Sequence, residues 1–141
     1  MNSRNILAAL VGAVVSFLMG GLVYGLFLMD YLQSNSHTYE GLMKPESEAM
    51  VGYVIGSLIQ SILFCYIFVA SGVKSLAKGA VMGAILMLLI GLWMGLFYVT
   101  AMNWYTSIMA FIVEVIAGTF MGLVIGAAIG WMLGRGSKET A

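Results

Sequence analysis

The chain has 141 residues, of which 62% are hydrophobic and 9% charged, and its net charge at pH 7 is zero. Together with a mean hydropathy of +1.02, this composition excludes a soluble domain, which is about 45–50% apolar and about 25% charged. Zero net charge gives no indication of a nucleic-acid partner, and a single cysteine, Cys65, excludes a disulfide within this chain. We therefore predict one all-α, polytopic domain in the lipid bilayer.

The first predicted span covers about 6–32. Its 23 residues from Ile6 to Leu28 carry no charge, which is enough to cross a hydrocarbon core about 30 Å thick. Arg4 before an apolar segment also fits a signal peptide, but the apolar region of a signal peptide has only about 7–15 residues. We expect this helix to remain in the protein.

Three further spans follow, at about 50–71, 80–102 and 107–133. A polar loop at 33–49 precedes them and contains the only proline, Pro45, which suits the first turn of a helix. A short basic connection and a tight turn, NWYT, separate the later spans. The chain thus reads as two helical hairpins in tandem.

The distribution of basic residues predicts the orientation. Lysine and arginine are concentrated on the cytoplasmic side of membrane proteins, and tyrosine and tryptophan at the interfaces. With four spans, only Lys44 falls on one side, so both termini are expected to be cytoplasmic and the 33–49 loop outside. The other side carries Arg4, Lys74, Lys78, Arg135 and Lys138. Aromatic residues gather toward the outer interface, namely Tyr31, Tyr39, Tyr53, Tyr98, Trp104 and Tyr105.

A glycine stripe runs along the fourth span. Its members recur every fourth residue and so lie on one helix face; they are Gly118, Gly122, Gly126, Gly130 and Gly134. Glycine costs about 1 kcal/mol against alanine in a water-exposed helix, whereas in a bilayer it lets another helix approach closely. The stripe predicts a packing face. Its partner is open at this point: the first or second helix of this chain, a second copy or another membrane protein.

An internal repeat appears at an offset of 70 residues. GLVYGLF at 21–27 matches GLWMGLF at 91–97, and GYVIGSLI at 52–59 matches GLVIGAAI at 122–129. A shared offset favours duplication of a hairpin, although glycine and aliphatic residues are common enough here to match by composition. The repeat adds further glycines to the predicted packing faces: Gly21, Gly25, Gly52, Gly56, Gly91 and Gly95.

Glu114 is the one carboxylate flanked by apolar residues on both sides, in FIVEVIAG. A charge within a membrane span costs ~3 kcal/mol or more, so it should be paired, protonated or beside a cavity. It is a candidate proton or cation site, or else a hydrogen-bonded acid at the edge of the bundle. Lys44 is its basic candidate partner on that side. Gln60 and Tyr24 are further polar candidates inside spans, where such side chains usually hydrogen-bond between helices.

Neither a metal site nor a catalytic site is indicated. His37 and Glu40 have a helical ligand spacing, but one histidine with scattered carboxylates does not specify a zinc site. Motifs for hydrolases, nucleotide binding or metalloproteases are absent, and a single histidine in a loop cannot complete a catalytic triad. We predict no cofactor, no metal and no enzymatic activity.

The order of features resembles a known family. The opening NILAALVGAVVSFLMGGLVYGLF, the polar loop, the pair of helices and the glycine-rich last helix are similar to small bacterial membrane proteins of the family called domain of unknown function 1761. That family often has a Trp-Tyr-Ser-Pro step near the end of its first helix, where this chain has Val23-Tyr24-Gly25-Leu26. The resemblance implies four helices in a bacterial inner membrane and no assigned activity.

Two functional hypotheses follow. The first is a structural or accessory membrane protein that associates through its glycine faces with copies of itself or with a larger complex. The second is a small transporter or channel whose pathway is lined by Glu114, Gln60, Tyr24 and the serines inside the spans. It requires an oligomer, because four helices of a single chain leave little room for a pore.

Overall fold

The computed structural model describes residues 3–135, and this part of the chain is helical with short connections. In chain order the helices are α1 Ser3–Gly20, a π-helical segment Gly21–Phe27, α2 Met29–Ser34, α3 Glu46–Ala70, α4 Leu76–Thr100 and α5 Ile108–Gly134. Within residues 3–135 no β-strand forms, and one isolated antiparallel bridge joins Ser36 and Tyr105. Lys138, which contributed to the predicted orientation, lies outside the described residues.

Four helices in residues 3–135 are long and apolar enough to cross a membrane: Ser3–Phe27, Glu46–Ala70, Leu76–Thr100 and Ile108–Gly134. This confirms the predicted all-α protein with four long apolar helices. Many large apolar side chains point away from the bundle, among them Leu26, Trp93 and Ile116. Such an exterior suits contact with lipid chains.

Helices α3 and α4 each begin four residues before the predicted start, at Glu46 and Leu76. Hydropathy marks where apolar residues begin, whereas the backbone helix starts at its polar first turn. Glu46 and Glu48 occupy the first turn of α3, where carboxylates interact well with the helix dipole. The Ser75 hydroxyl caps α4 by accepting a hydrogen bond from the backbone nitrogen of Lys78 at 3.3 Å.

The first span is not one continuous α-helix. It is α-helical to Gly20, π-helical from Gly21 to Phe27, and passes through Leu28 into the short helix α2. The Leu28 amide donates to the Val23 carbonyl at 2.9 Å, a step of five residues. Three glycines between 20 and 25 weaken the α-helical preference by about 1 kcal/mol each, which allows this wider winding.

A glycine closes α3 and turns the chain into α4. Gly72 has φ +68°, a left-handed conformation that residues with a Cβ rarely adopt. The amide of Val73 donates to the Phe68 carbonyl at 2.8 Å and that of Gly72 to Val69 at 3.3 Å, the pattern of a Schellman motif. Val73 itself is buried, so the turn is fixed to the core.

Helices α4 and α5 pack backbone against backbone. A Cβ placed on Gly79 would lie 2.8 Å from the Gly130 Cα, and one placed on Gly83 would lie 2.8 Å from the Gly126 Cα. In each case a facing carbonyl oxygen lies closer still, which leaves no room for a side chain. The glycine stripe of α5 is therefore packed against α4, the third span. The first or second helix, expected as the partner within the chain, does not take this position, because Gly79 and Gly83 of α4 let its backbone come closest.

The remaining core lies where α1 meets α3 and α5. Gly12 allows the approach, since a Cβ there would meet the Ser61 hydroxyl and lie 2.6 Å from the Ile129 Cγ1. The Ser61 hydroxyl donates to the Ala9 carbonyl at 2.6 Å. The largest fully buried side chains belong to this region: Ser61, Phe64, Cys65, Phe68, Ile125 and Ile129. We call this the terminal end of the bundle; it carries Ser3, the 71–75 turn and Arg135.

The opposite end, called the loop end, carries residues 35–45 and 101–107 and is packed more openly. Nearly every residue of α3 from 46 to 59 is exposed. A Cβ on Gly52 or Gly56 would meet no atom within 4 Å, and the same holds for Gly21 and Gly25. These four glycines, which were predicted to form packing faces, contact no other helix closely in the described part of the chain. Their role in packing, which would then be between chains, stays a prediction.

Alanine at Gly126 and at Gly56 provides a matched test of this packing, because the two glycines correspond at the 70-residue offset. Gly126→Ala would drive a Cβ into the backbone at Gly79 and Gly83, so we expect it to destabilise the fold by about 1–3 kcal/mol. In the monomer, Gly56→Ala should be neutral or slightly stabilising, because an added Cβ meets no atom of the same chain within 4 Å. Unfolding by denaturing detergent, followed by circular dichroism, measures both changes, and equal stability of the two variants would contradict this packing.

Candidate functional site

Glu114 lies beside a cavity at the loop end, between the π-helical segment, α4 and α5. The cavity has a volume of about 160 Å³; we call it the Glu114 cavity. Its polar and aromatic lining consists of Glu114, Tyr24, Tyr98, Tyr105 and Phe111. Methionines 87 and 94, with aliphatic residues and glycines of α4 and α5, form the rest of the wall. Of the three residues predicted as one polar site, Tyr24 and Glu114 therefore lie together, and Gln60 does not line this cavity.

The cavity exists because the two helices stop meeting at glycine backbones. Near Gly118 the Met87 side chain fills the gap, and at Gly91 the nearest atom to an added Cβ is the Val115 Cγ2, at 3.7 Å. At Gly95 the Phe111 ring fills the space of the missing side chain. Side chains thus take over from backbone contact at the loop end and leave space beside Glu114.

Tyr105 is the hydrogen-bond partner of Glu114: its hydroxyl donates to the Glu114 Oε2. A backbone bridge holds Tyr105 in place. The amide of His37 donates to the Trp104 carbonyl at 2.8 Å, and that of Thr106 donates to the Asn35 carbonyl at 2.9 Å. The two connections at the loop end are therefore joined, and this junction sets Tyr105 over the carboxylate.

The environment of Tyr105 favours its neutral form. Burial raises the pKa of the Tyr105 hydroxyl above its ordinary value, and the hydrogen bond to Glu114 raises it further. Both causes act in the same direction, because a phenolate would be desolvated and would lie next to a carboxylate. Tyr105 thus stays a hydrogen-bond donor to Glu114 at physiological pH.

Tyr24 enters the cavity from the π-helical segment. Its hydroxyl lies 3.9 Å from the position that a Cβ on Gly118 would take. Short π-helical stretches within α-helices are frequent at functional sites, because they shift side chains out of the regular register. Gly118, a member of the predicted stripe, leaves the space that the Tyr24 ring tip occupies.

Gln60 lies outside the cavity but is connected to its wall. Its Oε1 accepts a hydrogen bond from the Ser16 hydroxyl at 2.6 Å, and its Nε2 lies 3.0 Å from the Met87 sulfur. Gln60 therefore joins α1, α3 and α4 through polar contacts, as sequence reasoning expected for interhelical hydrogen bonding. Met87 is the shared element, since it touches Gln60 on one side and lines the cavity on the other.

No basic side chain neutralises Glu114 within residues 3–135. Lys44, the predicted candidate partner, instead pairs with Glu48 at 4.0 Å, and both side chains are largely exposed. That pair is the one salt bridge in this part of the chain. The expectation that Lys44 pairs with Glu114 is therefore wrong. Lys44 pairs instead with Glu48, which lies four residues further along the chain in the first turn of α3.

Other hollows and side-chain groups in residues 3–135 carry less chemistry. This part of the chain contains no group of three or more histidine, cysteine, aspartate or glutamate side chains that could hold a metal ion. An open groove of about 400 Å³ beside Lys78 is lined otherwise by apolar residues of α4 and the preceding turn. Its exposure on the bundle exterior suits lipid.

Sequence reasoning missed Tyr105 and Tyr98 as members of the site. Tyr105 and Glu114 are nine residues apart across a turn, which is not a helical spacing. Ser16 was expected to hydrogen-bond between helices, but its partner Gln60, 44 residues away, was not predicted. Tyr98 and Tyr105 were expected only as interfacial aromatics. Glycines 79 and 83 were also missed, although their four-residue spacing continues through 91 and 95.

Comparison with known proteins gives no assignment, since no protein-family model, curated protein or solved structure matches the chain. The resemblance to domain of unknown function 1761 stays a prediction. Function is therefore argued from the site alone.

A double-mutant cycle tests the junction at Gln60. Ser16→Ala and Gln60→Met each remove one side of a hydrogen bond between helices, and such bonds in membrane proteins couple by about 0.6 kcal/mol on average. We expect a coupling of about 0.5–1.5 kcal/mol in the free energy of detergent unfolding. Additive effects of the two changes would show that the side chains do not interact.

Proposed function

We propose that this chain binds a proton or a small cation at Glu114 and acts as a small oligomeric transporter or channel. One observation carries the proposal: Glu114 lies beside a cavity between apolar helices, with Tyr105 as its hydrogen-bond partner. A charge within a membrane span costs ~3 kcal/mol or more when it is not compensated. A bound proton or cation supplies the compensation that Lys44 does not.

The accessory hypothesis has lost its strongest support. It rested on the stripe from Gly118 to Gly134 as a free face, and that face is covered by α4, the 71–75 turn and the Tyr24 hydroxyl of the same chain. The cavity beside Glu114, in contrast, is a feature that packing alone does not require. The proposed activity involves no chemical conversion, and we propose that the protein is not an enzyme.

We propose that the protein resides in a bacterial cytoplasmic membrane with both termini inside. Arg4, the two lysines of the 73–79 region and Arg135 lie at the terminal end, which supports this orientation by the positive-inside rule. The Glu114 cavity then lies toward the outer surface. Reagent labelling of cysteines placed in the 33–49 loop and near the termini would test the orientation.

The tandem-hairpin duplication remains part of the proposal. The 70-residue offset aligns α1 with α4 and α3 with most of α5, which supports it. The packing is not repeated, however. At the offset of 70 residues, the contact of Gly79 with Gly126 would correspond to a contact of Ala9 with Gly56. The Ala9 carbonyl instead accepts a hydrogen bond from Ser61, which lies five residues further along α3 than Gly56. A duplicated hairpin would have diverged in helix register.

Charge neutralisation of Glu114 tests the proposed function. Glu114→Gln preserves the size of the side chain and removes the titrating group, so we expect it to abolish proton- or cation-dependent flux in proteoliposomes. Glu46→Gln, an exposed carboxylate at the start of α3, is the matched control and should leave the flux unchanged. Flux through the Glu114→Gln protein equal to that of the wild type would remove Glu114 from the mechanism.

A second candidate role, self-association, is favoured by the open half of α3. Gly52 and Gly56 lie one turn apart on a mostly exposed helix segment, and a Cβ added at either glycine would meet no atom within 4 Å. Small residues at this spacing let two membrane helices approach closely. We propose a second copy of this chain as the occupant, which also meets the need of a small transporter for an oligomer.

Native mass spectrometry of protein gently extracted from its own membranes tests this association. We expect a discrete homo-oligomer that Gly52→Leu with Gly56→Leu converts to monomer, while Val51→Leu on the same helix has no effect. A lone wild-type monomer of 15.1 kDa would contradict self-association. A retained unrelated subunit would support the accessory role instead.

A further inference from the structure

The Glu114 cavity offers one negative charge and little else that a hard metal ion needs. Calcium takes six to eight oxygen ligands and magnesium a near-octahedral set, usually with several carboxylates or waters. Beyond the Glu114 carboxylate, the cavity oxygens are tyrosine hydroxyls, and that of Tyr105 already donates to Glu114. A strongly hydrated divalent cation would lose more than it gains by entering.

Four aromatic residues line the cavity beside Glu114. Tyr24 comes from the π-helical segment, Tyr98 from α4, Tyr105 from the 101–107 turn and Phe111 from α5. Four rings from four elements thus converge around one carboxylate. Aromatic faces attract organic ammonium ions, and cages of such rings are the usual means of recognising quaternary ammonium groups.

The methionines make the wall soft and adaptable. Met87 and Met94 line the cavity between the tyrosines, and thioether side chains adjust to ligands of irregular shape without demanding hydrogen bonds. A volume of about 160 Å³ suits an ammonium group with small alkyl substituents. Poor hydration of such a cation lowers the cost of moving it from water into this site.

We propose that the Glu114 cavity binds a small alkylammonium ion, with the Glu114 carboxylate balancing its charge and the tyrosine rings surrounding its alkyl groups. This inference rests on the proposed cation binding at Glu114 and names the class of cation. Tyr105 is a positioning residue in this arrangement, since its hydrogen bond orients the carboxylate.

Choline binding to the full-length protein in lipid nanodiscs tests the proposal, with the neutral isostere that has carbon in place of nitrogen as the matched probe. We expect choline to bind, measured by calorimetry, and the neutral isostere to bind about tenfold or more weakly. Glu114→Gln should remove that preference, and Glu46→Gln should retain it. Equal binding of the two probes to the wild-type protein would overturn the proposal.

Substitutions of Tyr98 separate a ring contribution from a structural one. Tyr98→Phe keeps the aromatic face and should retain choline affinity within about twofold, whereas Tyr98→Leu should weaken it by about 2- to 30-fold. Circular dichroism confirms that both variants fold. Equal losses in the two variants would contradict a role for the ring.

The failure of this inference is distinguishable from failure of the proposed function. Flux measurements in proteoliposomes separate the two. If Glu114→Gln abolishes proton- or cation-dependent flux but choline does not bind to the wild-type protein, the proposed function stands and the alkylammonium proposal is wrong. If the flux does not depend on Glu114 and choline does not bind, both proposals are contradicted.

Discussion

The contact on which this structure depends is the approach of α4 and α5 along glycine backbones. No side chain fits between Gly79 or Gly83 and the facing glycines of α5. Lipid chains are as apolar as helix surfaces, so helices in a bilayer gain little from hydrophobic burial and associate through close packing. Glycine supplies that packing here, and α1 and α3 complete the bundle around the hairpin that it creates.

The same constraint produces the candidate site. Where the glycine contacts end, Met87, Val115 and Phe111 take up the space between the helices, and a cavity remains beside Glu114. The junction of the two connections at the loop end then places Tyr105 on the carboxylate. Tight packing at the terminal end and an acid beside open space at the loop end are thus two consequences of one pattern of glycines.

The number and approximate position of the helices follow from the sequence, because length and apolarity suffice to define a membrane span. The partner of the glycine stripe does not follow from the sequence, because the stripe indicates that some helix packs closely but not which helix. In α4 a spacing of four residues joins Gly79, Gly83, Gly91 and Gly95, but Met87 occupies the middle position of this pattern. The pattern marks α4 as the partner only if that interruption is allowed. The contact of Tyr105 with Glu114 could not be predicted from the sequence. A turn and a backbone bridge position Tyr105, and neither feature produces a periodic pattern of residues.

The glycine stripe on α5 packs within its own chain. Solid-state NMR of protein labelled only at glycine Cα, reconstituted in lipid, tests this packing through the correlation between Gly83 and Gly126. We expect this correlation to keep its full intensity per labelled chain when labelled protein is diluted with unlabelled protein. Loss of the correlation on dilution would show that the glycines meet between chains and that the bundle is not held together by contacts within one chain.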